Sequence, residues 1–357
     1  LVQAFHASKG NEDLQSSIVT ATGFISGQAS FDFLADIAGR EAYDPIVRGF
    51  ACSSLGRLGD PAAIPVLLQA YKSRKVDVRR AAILALGDLN KDVDPKMAKR
   101  RDLTLIKALE KESDAQALGF LCITIGKLQS SSASFQLSKT LVKAKQPNIR
   151  GFAAIGLGLV GDQKPKDVLR QEFIKEKNWA NLGAYLIGMG LARDQDAIPL
   201  IVKTLDEGKG DRKLKEYVIT SLGLMRSSNT KIHDAIYRMM RENTQFSRLI
   251  STCAVSLAMV GDARAIEYMK ELSEHGNALV SSNAALTLGD ICNSSISNHL
   301  MKLYKKSNVS LAKQFYLVAI GKAHENELRR VSLLRYFSIN TNYRLRTLTY
   351  EHVLKFP

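Results

Sequence analysis

The residues with side chains able to do chemistry are few and scattered. Six histidines stand at His6, His233, His275, His299, His324 and His352, and none has the spacing of a metal-binding pair. The four cysteines, Cys52, Cys122, Cys253 and Cys292, include no Cys-x-x-Cys, so a zinc centre is not expected. No Gly-x-Ser-x-Gly, His-Glu-x-x-His or glycine-rich phosphate loop occurs. The carboxylates Asp60, Asp162, Asp194 and Asp262 recur at one place in a longer pattern. Recurrence suits helix capping better than catalysis. The reading is therefore a chain without catalytic residues, metal or cofactor.

Positive charge is the other candidate chemistry. Fifty Lys and Arg against 35 Asp and Glu leave a formal charge of +15. Such a balance fits nucleic acid, anionic lipid or an acidic protein, and equally fits lysines that only solvate outer helix faces. Residues 89–103 collect Lys91, Lys96, Lys99, Arg100 and Arg101. Near the end Arg344 and Arg346 are interleaved with Tyr343 and Tyr350, a mixture that holds phosphates and stacks on bases or else caps a last helix. Residues 206–215 carry two glycines and four cations without Walker spacing, so they read as a polar hinge.

The elements that would position these groups are set by an internal repeat. Anchor residues Gly23, Gly56, Gly87, Gly126, Gly158, Gly190, Gly223, Ala258, Gly289 and Gly321 are separated by 33, 31, 39, 32, 32, 33, 35, 31 and 32 residues. A period near 32 accommodates two short helices and two turns. From the second copy on, the residue before the anchor is large and apolar: Leu55, Leu86, Ile125, Leu157, Met189, Leu222, Leu257, Leu288 and Ile320. The residue two before it is small: Ser54, Ala85, Thr124, Gly156, Gly188, Ser221, Ser256, Thr287 and Ala319. A glycine inside a helix costs about 1 kcal/mol against alanine, so its recurrence predicts close helix packing there. The 39-residue step marks an insertion of about two helical turns or a longer loop, and insertions in repeats gather on one face, often the binding face. Residues 145–200 are the most apolar part and hold two uncharged runs, 151–160 and 182–191, either buried all round or facing an apolar partner.

Asp77-Val78-Arg79-Arg80-Ala81-Ala82 with Ala85-Leu86-Gly87, and Leu55-Gly56-Arg57-Leu58-Gly59-Asp60, resemble the HEAT-repeat family, in its short bacterial, phycobilisome-lyase-like form. The resemblance covers about residues 14–325. It implies an all-α fold, an α-solenoid of about ten two-helix HEAT-like repeats wound as a right-handed superhelix. The solenoid is expected over 1–340 and a capping tail over 341–357. The family also implies that its Arg and Asp columns, here Arg48, Arg79 and Arg150, bond within and between repeats.

Three functions follow in order. The first is a non-enzymatic scaffold or adaptor that binds another macromolecule, a protein, on the curved repeat surface. The second is nucleic-acid binding through a basic face, as in some solenoids of this kind. The third, resting on the resemblance alone, is a bilin lyase-like activity. The binding candidates are Arg79, Arg80, Lys99, Arg100, Arg101, Arg150, Arg344 and Arg346. No stretch is apolar enough for a transmembrane helix. Cysteines read as small buried hydrophobes favour the cytoplasm. A start at Leu1 rather than Met leaves export behind a removed signal peptide open, and the oligomeric state is unassigned.

Overall fold

The computed structural model describes residues 1–328, with gaps at 91, 130–131, 162–163, 208–211, 243–247 and 293, together with 338–339 and 354–355. The described residues are helical apart from two paired two-residue strands, Ser338–Ile339 and Leu354–Lys355. There are two compact units, Leu1–Gly188 and one that begins at Met189.

The first unit holds α1 (Val2–Ala7), α2 (Glu12–Thr22), α3 (Gln28–Gly39), α4 (Pro45–Leu58), α5 (Ile64–Tyr71) and α6 (Val76–Asp88). It continues with α7 (Pro95–Ala108), α8 (Ala115–Lys127), α9 (Ala133–Lys143), α10 (Pro147–Val160), α11 (Lys164–Lys175) and most of α12 (Trp179–Leu191). The second unit holds α13 (Ile198–Glu207), α14 (Arg212–Met225), α15 (Thr230–Glu242), α16 (Arg248–Met259), α17 (Arg264–Ser273), α18 (Ala278–Ile291), α19 (Ser297–Lys306) and α20 (Ser310–Leu328). From α3 on, odd helices are the first and even helices the second of each pair.

Local chemistry sets the boundaries. Pro45, Pro95 and Pro147 occupy first turns, where a missing N–H costs nothing. The Asp44, Asp94, Asp114 and Asn277 side chains accept hydrogen bonds from the first N–H groups of α4, α7, α8 and α18. Gly59 and Gly161, at φ +73° and +72°, end α4 and α10 in the left-handed conformation. Of the recurrent aspartates, Asp60 and Asp262 accept from Ala62 N and Arg264 N at 2.9 and 3.1 Å. Asp194 is buried but makes no side-chain cap, and Asp162 lies outside the described residues.

The two sequence columns turn out to be the two sides of one contact. A Cβ built on each anchor glycine meets the small-column residue of the next copy: Gly23 meets Ser54, Gly56 Ala85, Gly87 Thr124 and Gly126 Gly156. Within the first unit Gly158 likewise meets Gly188, and within the second Gly190 meets Ser221, Gly223 Ser256 and Gly289 Ala319. At Gly126 the clash would be with the Gly156 carbonyl oxygen at 2.5 Å, a backbone atom with no rotamer to change. Gly321 meets nothing within 4 Å. The small column also answers the backbone behind it. Ser54 Oγ donates to the Val19 carbonyl at 3.0 Å and Thr124 Oγ1 to the Ile83 carbonyl at 3.0 Å, each four residues before an anchor. Where the small residue is Gly156, a Cβ would sit 2.5 Å from the matching Cys122 carbonyl. The large column, Leu55 to Leu288, is buried in every copy.

The uncharged run 151–160 of α10 is buried from Gly151 to Gly158, so its apolar surface faces neighbouring helices rather than a partner. All four cysteines are free and buried. Burial pushes the thiols of Cys52, Cys122 and Cys253 up to about 12 and that of Cys292 to about 11. Residues 2–7 form α1, whose Phe5 is buried with edge-on contacts to Phe33 and Tyr43.

Candidate binding surface

Each candidate cation owes its setting to the helix that carries it. Arg79 and Arg150 sit one turn into α6 and α10 and reach back over the preceding loop. Arg79 donates to the Ser73 and Arg74 carbonyls at 3.1 and 3.3 Å, and Arg150 to the Ala144 and Lys145 carbonyls at 3.2 and 3.4 Å. Both then pair with a glutamate in the next repeat's loop. Arg79 makes a two-point contact with Glu112 at 3.1 and 3.2 Å, and Arg150 donates to Glu176 at 2.8 Å. Each glutamate in turn accepts loop backbone N–H groups, from Ser113 and Asp114 or from Asn178. The result is a ladder that ties one interhelix loop to the next.

Electrostatics follow from this geometry. Burial pushes the Glu176 carboxyl up, but bonds from Asn181, Arg150 and Asn178 outweigh it and hold the group below its usual range. Burial likewise opposes, and Arg80 with the Ala117 N–H overcomes, a lowered Asp114. Arg80 grips Asp114 through two bonds of 2.7 and 2.8 Å. Burial lifts the Tyr185 hydroxyl to about 12, helped by Glu176. Arg48 joins no carboxylate among the described residues. Its Nε and Nη2 both donate to the Ala38 carbonyl at 3.2 Å.

The inserted stretch behaves differently. It supplies the loop before α7 and lengthens α7 to 14 residues, against 8 in α5 and 11 in α9. Arg101, counted among the surface cations on sequence, is only 3% exposed. Its guanidinium donates to the Leu89 carbonyl and to Asp102, and so pins the inserted loop to α7. Lys96, Lys99 and Arg100 are exposed. Lys96 and Arg100 border a groove of about 350 Å³ between α5 and α7, lined also by Ile64, Pro65, Leu68, Gln69, Lys72, Asp94 and Met97. Asp94 is the acid in it, and its carboxylate accepts from Lys96 N and Met97 N, both at 3.0 Å.

The candidates thus separate into two sets. Arg79, Arg80, Arg101 and Arg150 have their donors engaged within the fold, whereas Lys99 and Arg100 face solvent. Arg344 and Arg346, the tail 341–357 apart from Leu354–Lys355, and the centre of the 206–215 hinge lie outside the described residues. Sequence reading missed Glu112, Glu176, Lys72 and Met97. A signal existed for the glutamates, in Glu112-Ser113-Asp114 and Glu176-Lys177-Asn178, each two residues before the residue that precedes a second helix. No such signal marks Lys72 or Met97, whose meeting depends on how α5 and α7 pack.

A family model described as HEAT repeats matches residues 31–99. That span is α3 to α6 with the start of α7, and the helix pair and glycine contact seen there recur through the described residues of both units. Residues 31–99 are HEAT repeats. Among solved structures, these repeats resemble the complex of CpcE and CpcF of phycocyanin lyase from Nostoc sp. PCC7120, at 15% identity and TM-score 0.47, over 73% of this chain and 94% of that one. YibA of Escherichia coli resembles them at 11% identity and TM-score 0.37, over 86% and 95%. Human deoxyhypusine hydroxylase does so at 14% and 0.31, over 72% and 94%. No curated protein sequence matches significantly. Among the described residues no three His, Cys, Asp or Glu side chains gather as a metal site. No described helix is long and apolar enough to cross a membrane.

Proposed function

We propose that the protein is a non-enzymatic scaffold that binds another protein on its repeat surface. The observation that carries this reading is the division of its arginines. Those of α6 and α10 are engaged in the loop ladder, so the ladder is structural. The solvent-facing cations Lys96, Lys99 and Arg100 stand on α7, the first helix within the 39-residue step. The apolar lining at Ile64, Pro65, Leu68 and Met97 beside them favours a protein over a phosphodiester backbone, which is met by charge and needs no apolar floor.

The same exposed cations and the +15 charge support a second reading, nucleic-acid binding. The test is retention on heparin and on a 20-base-pair duplex across a salt series, with Lys96, Lys99 and Arg100 changed together to serine. The scaffold reading expects weak retention that the change scarcely alters. Tight retention that falls steeply with salt and is lost in the triple variant would move the assignment to nucleic acid.

A further inference from the structure

Resting on that protein-binding reading, we propose that the groove between α5 and α7 holds an acidic peptide segment by one apolar side chain, with carboxylates on both flanks. The groove is a product of the insertion. Asp94, Lys96, Met97 and Arg100, its α7 wall, all lie in the loop end and first half of the lengthened helix. Arg101 and its bonds to Leu89 and Asp102 hold that wall in place. Added residues have thus replaced ordinary first-helix packing with a concavity of about 350 Å³, within the size range of ligand sites.

The lining fixes the chemistry of the occupant. Ile64 forms a buried floor, and Leu68 and Met97 are half-buried beside it, so an apolar side chain gains by entering. A methionine at a recognition surface adapts to differing apolar shapes. Cations stand on both walls: Lys72 where α5 ends, Lys96 and Arg100 on α7. All three are exposed, and none forms an ion pair among the described residues. The opposing Asp94 is engaged by the start of α7, so the rim stays net positive. An apolar anchor between two acidic flanks complements this surface. A nucleic acid would leave the floor empty, and a basic or neutral peptide would leave the cations unmatched.

The experiment is selection from a random ten-residue phage-display library on the full chain, repeated on three variants that keep the wild-type circular dichroism spectrum. These are Lys72→Glu with Arg100→Glu, Met97→Ser, and the off-groove control Lys107→Glu. Enriched sequences should combine acidic residues with one large apolar residue. As a fluorescent peptide, the enriched consensus should bind at least tenfold more weakly to the charge-reversed double variant. It should bind roughly fivefold more weakly to Met97→Ser and within twofold of wild type to Lys107→Glu. Enrichment that ignores the groove variants would overturn the groove and leave the scaffold reading standing. No enrichment on any form overturns the groove as well. If the duplex is then retained, the scaffold reading falls with it.

Discussion

One stretch of second helices from each unit solves the same packing problem with different atoms. In the first unit, Gly126 against Gly156 and Gly158 against Gly188 bring backbone onto backbone, and the loops above are held by the half-buried Arg150–Glu176 pair. In the second unit, Gly223 lies against Ser256, and Ser251 shares a 2.7 Å hydrogen bond with Thr287. Two exposed ion pairs there join first helices. Arg264 joins Asp234 at 2.8 Å and lies over the Tyr237 ring, while Arg241 joins Glu271 at 3.0 Å and lies over Tyr268. One repeat geometry is therefore compatible with a dry glycine seam under a buried ladder, or with a hydroxyl-lined seam under exposed clamps. The two solutions should differ in their tolerance of substitution, acid and salt.

The largest difference is expected at the seam. Gly158→Ala should destabilise by about 2–3 kcal/mol, because the new methyl group runs into the Gly188 carbonyl and no facing side chain remains to be trimmed. Gly223→Ala should cost less, and Ser256→Gly in the same chain should recover part of it, since Ser256 Cβ and Oγ are among the obstructing atoms. Chemical denaturation of the single and double variants measures both. Equal costs, or no recovery, would break the distinction between the seams.

The ladder comes next. Arg150→Met removes bonds to two carbonyls and leaves Glu176, whose side chain is only 5% exposed, without its cation. A loss of about 2 kcal/mol is expected. Arg264→Ala in the second unit should cost about 1 kcal/mol, because Arg264 and Asp234 are roughly half exposed and screened by solvent, and the more buried Asp262 keeps its bond from the residue 264 backbone N–H.

Acid should separate the units in the same direction. The Glu176 carboxyl is held below its ordinary 4.5 in the folded chain. Its contribution is therefore fully present above that value and is lost as pH falls through the lower folded one. The wild-type denaturation midpoint should drop over that window, and Glu176→Gln should flatten this part of the profile. An unchanged profile would show that the pair does not contribute. The smallest effect is that of salt. In 0.5 M NaCl the cost of Arg264→Ala should shrink towards zero while that of Arg150→Met persists.

Much of the fold was legible because a repeat writes each structural demand many times. The glycine anchors, the large column and the small column were all visible, and each has a single steric cause. The contact between an anchor and the small residue of the next copy was not visible, because sequence spacing does not say which turns of successive helices meet. The structural role of Arg79 and Arg150 could be anticipated from the family resemblance, but their partners Glu112 and Glu176 lie 33 and 26 residues away across a loop.

By itself the sequence determined a helical repeat with a period near 32, its close-packed second helices and one insertion rich in cations. Periodic burial leaves a periodic trace, and an insertion breaks it in full view. Only the tertiary structure decided which of those cations meet solvent. Arg100 and Arg101 are neighbours in sequence, yet they lie about 100° apart around α7. One turns to the groove and the other to the Leu89 carbonyl. That choice depends on where the inserted loop lies, and so do the partnership of Lys72 with Lys96 and the groove between them.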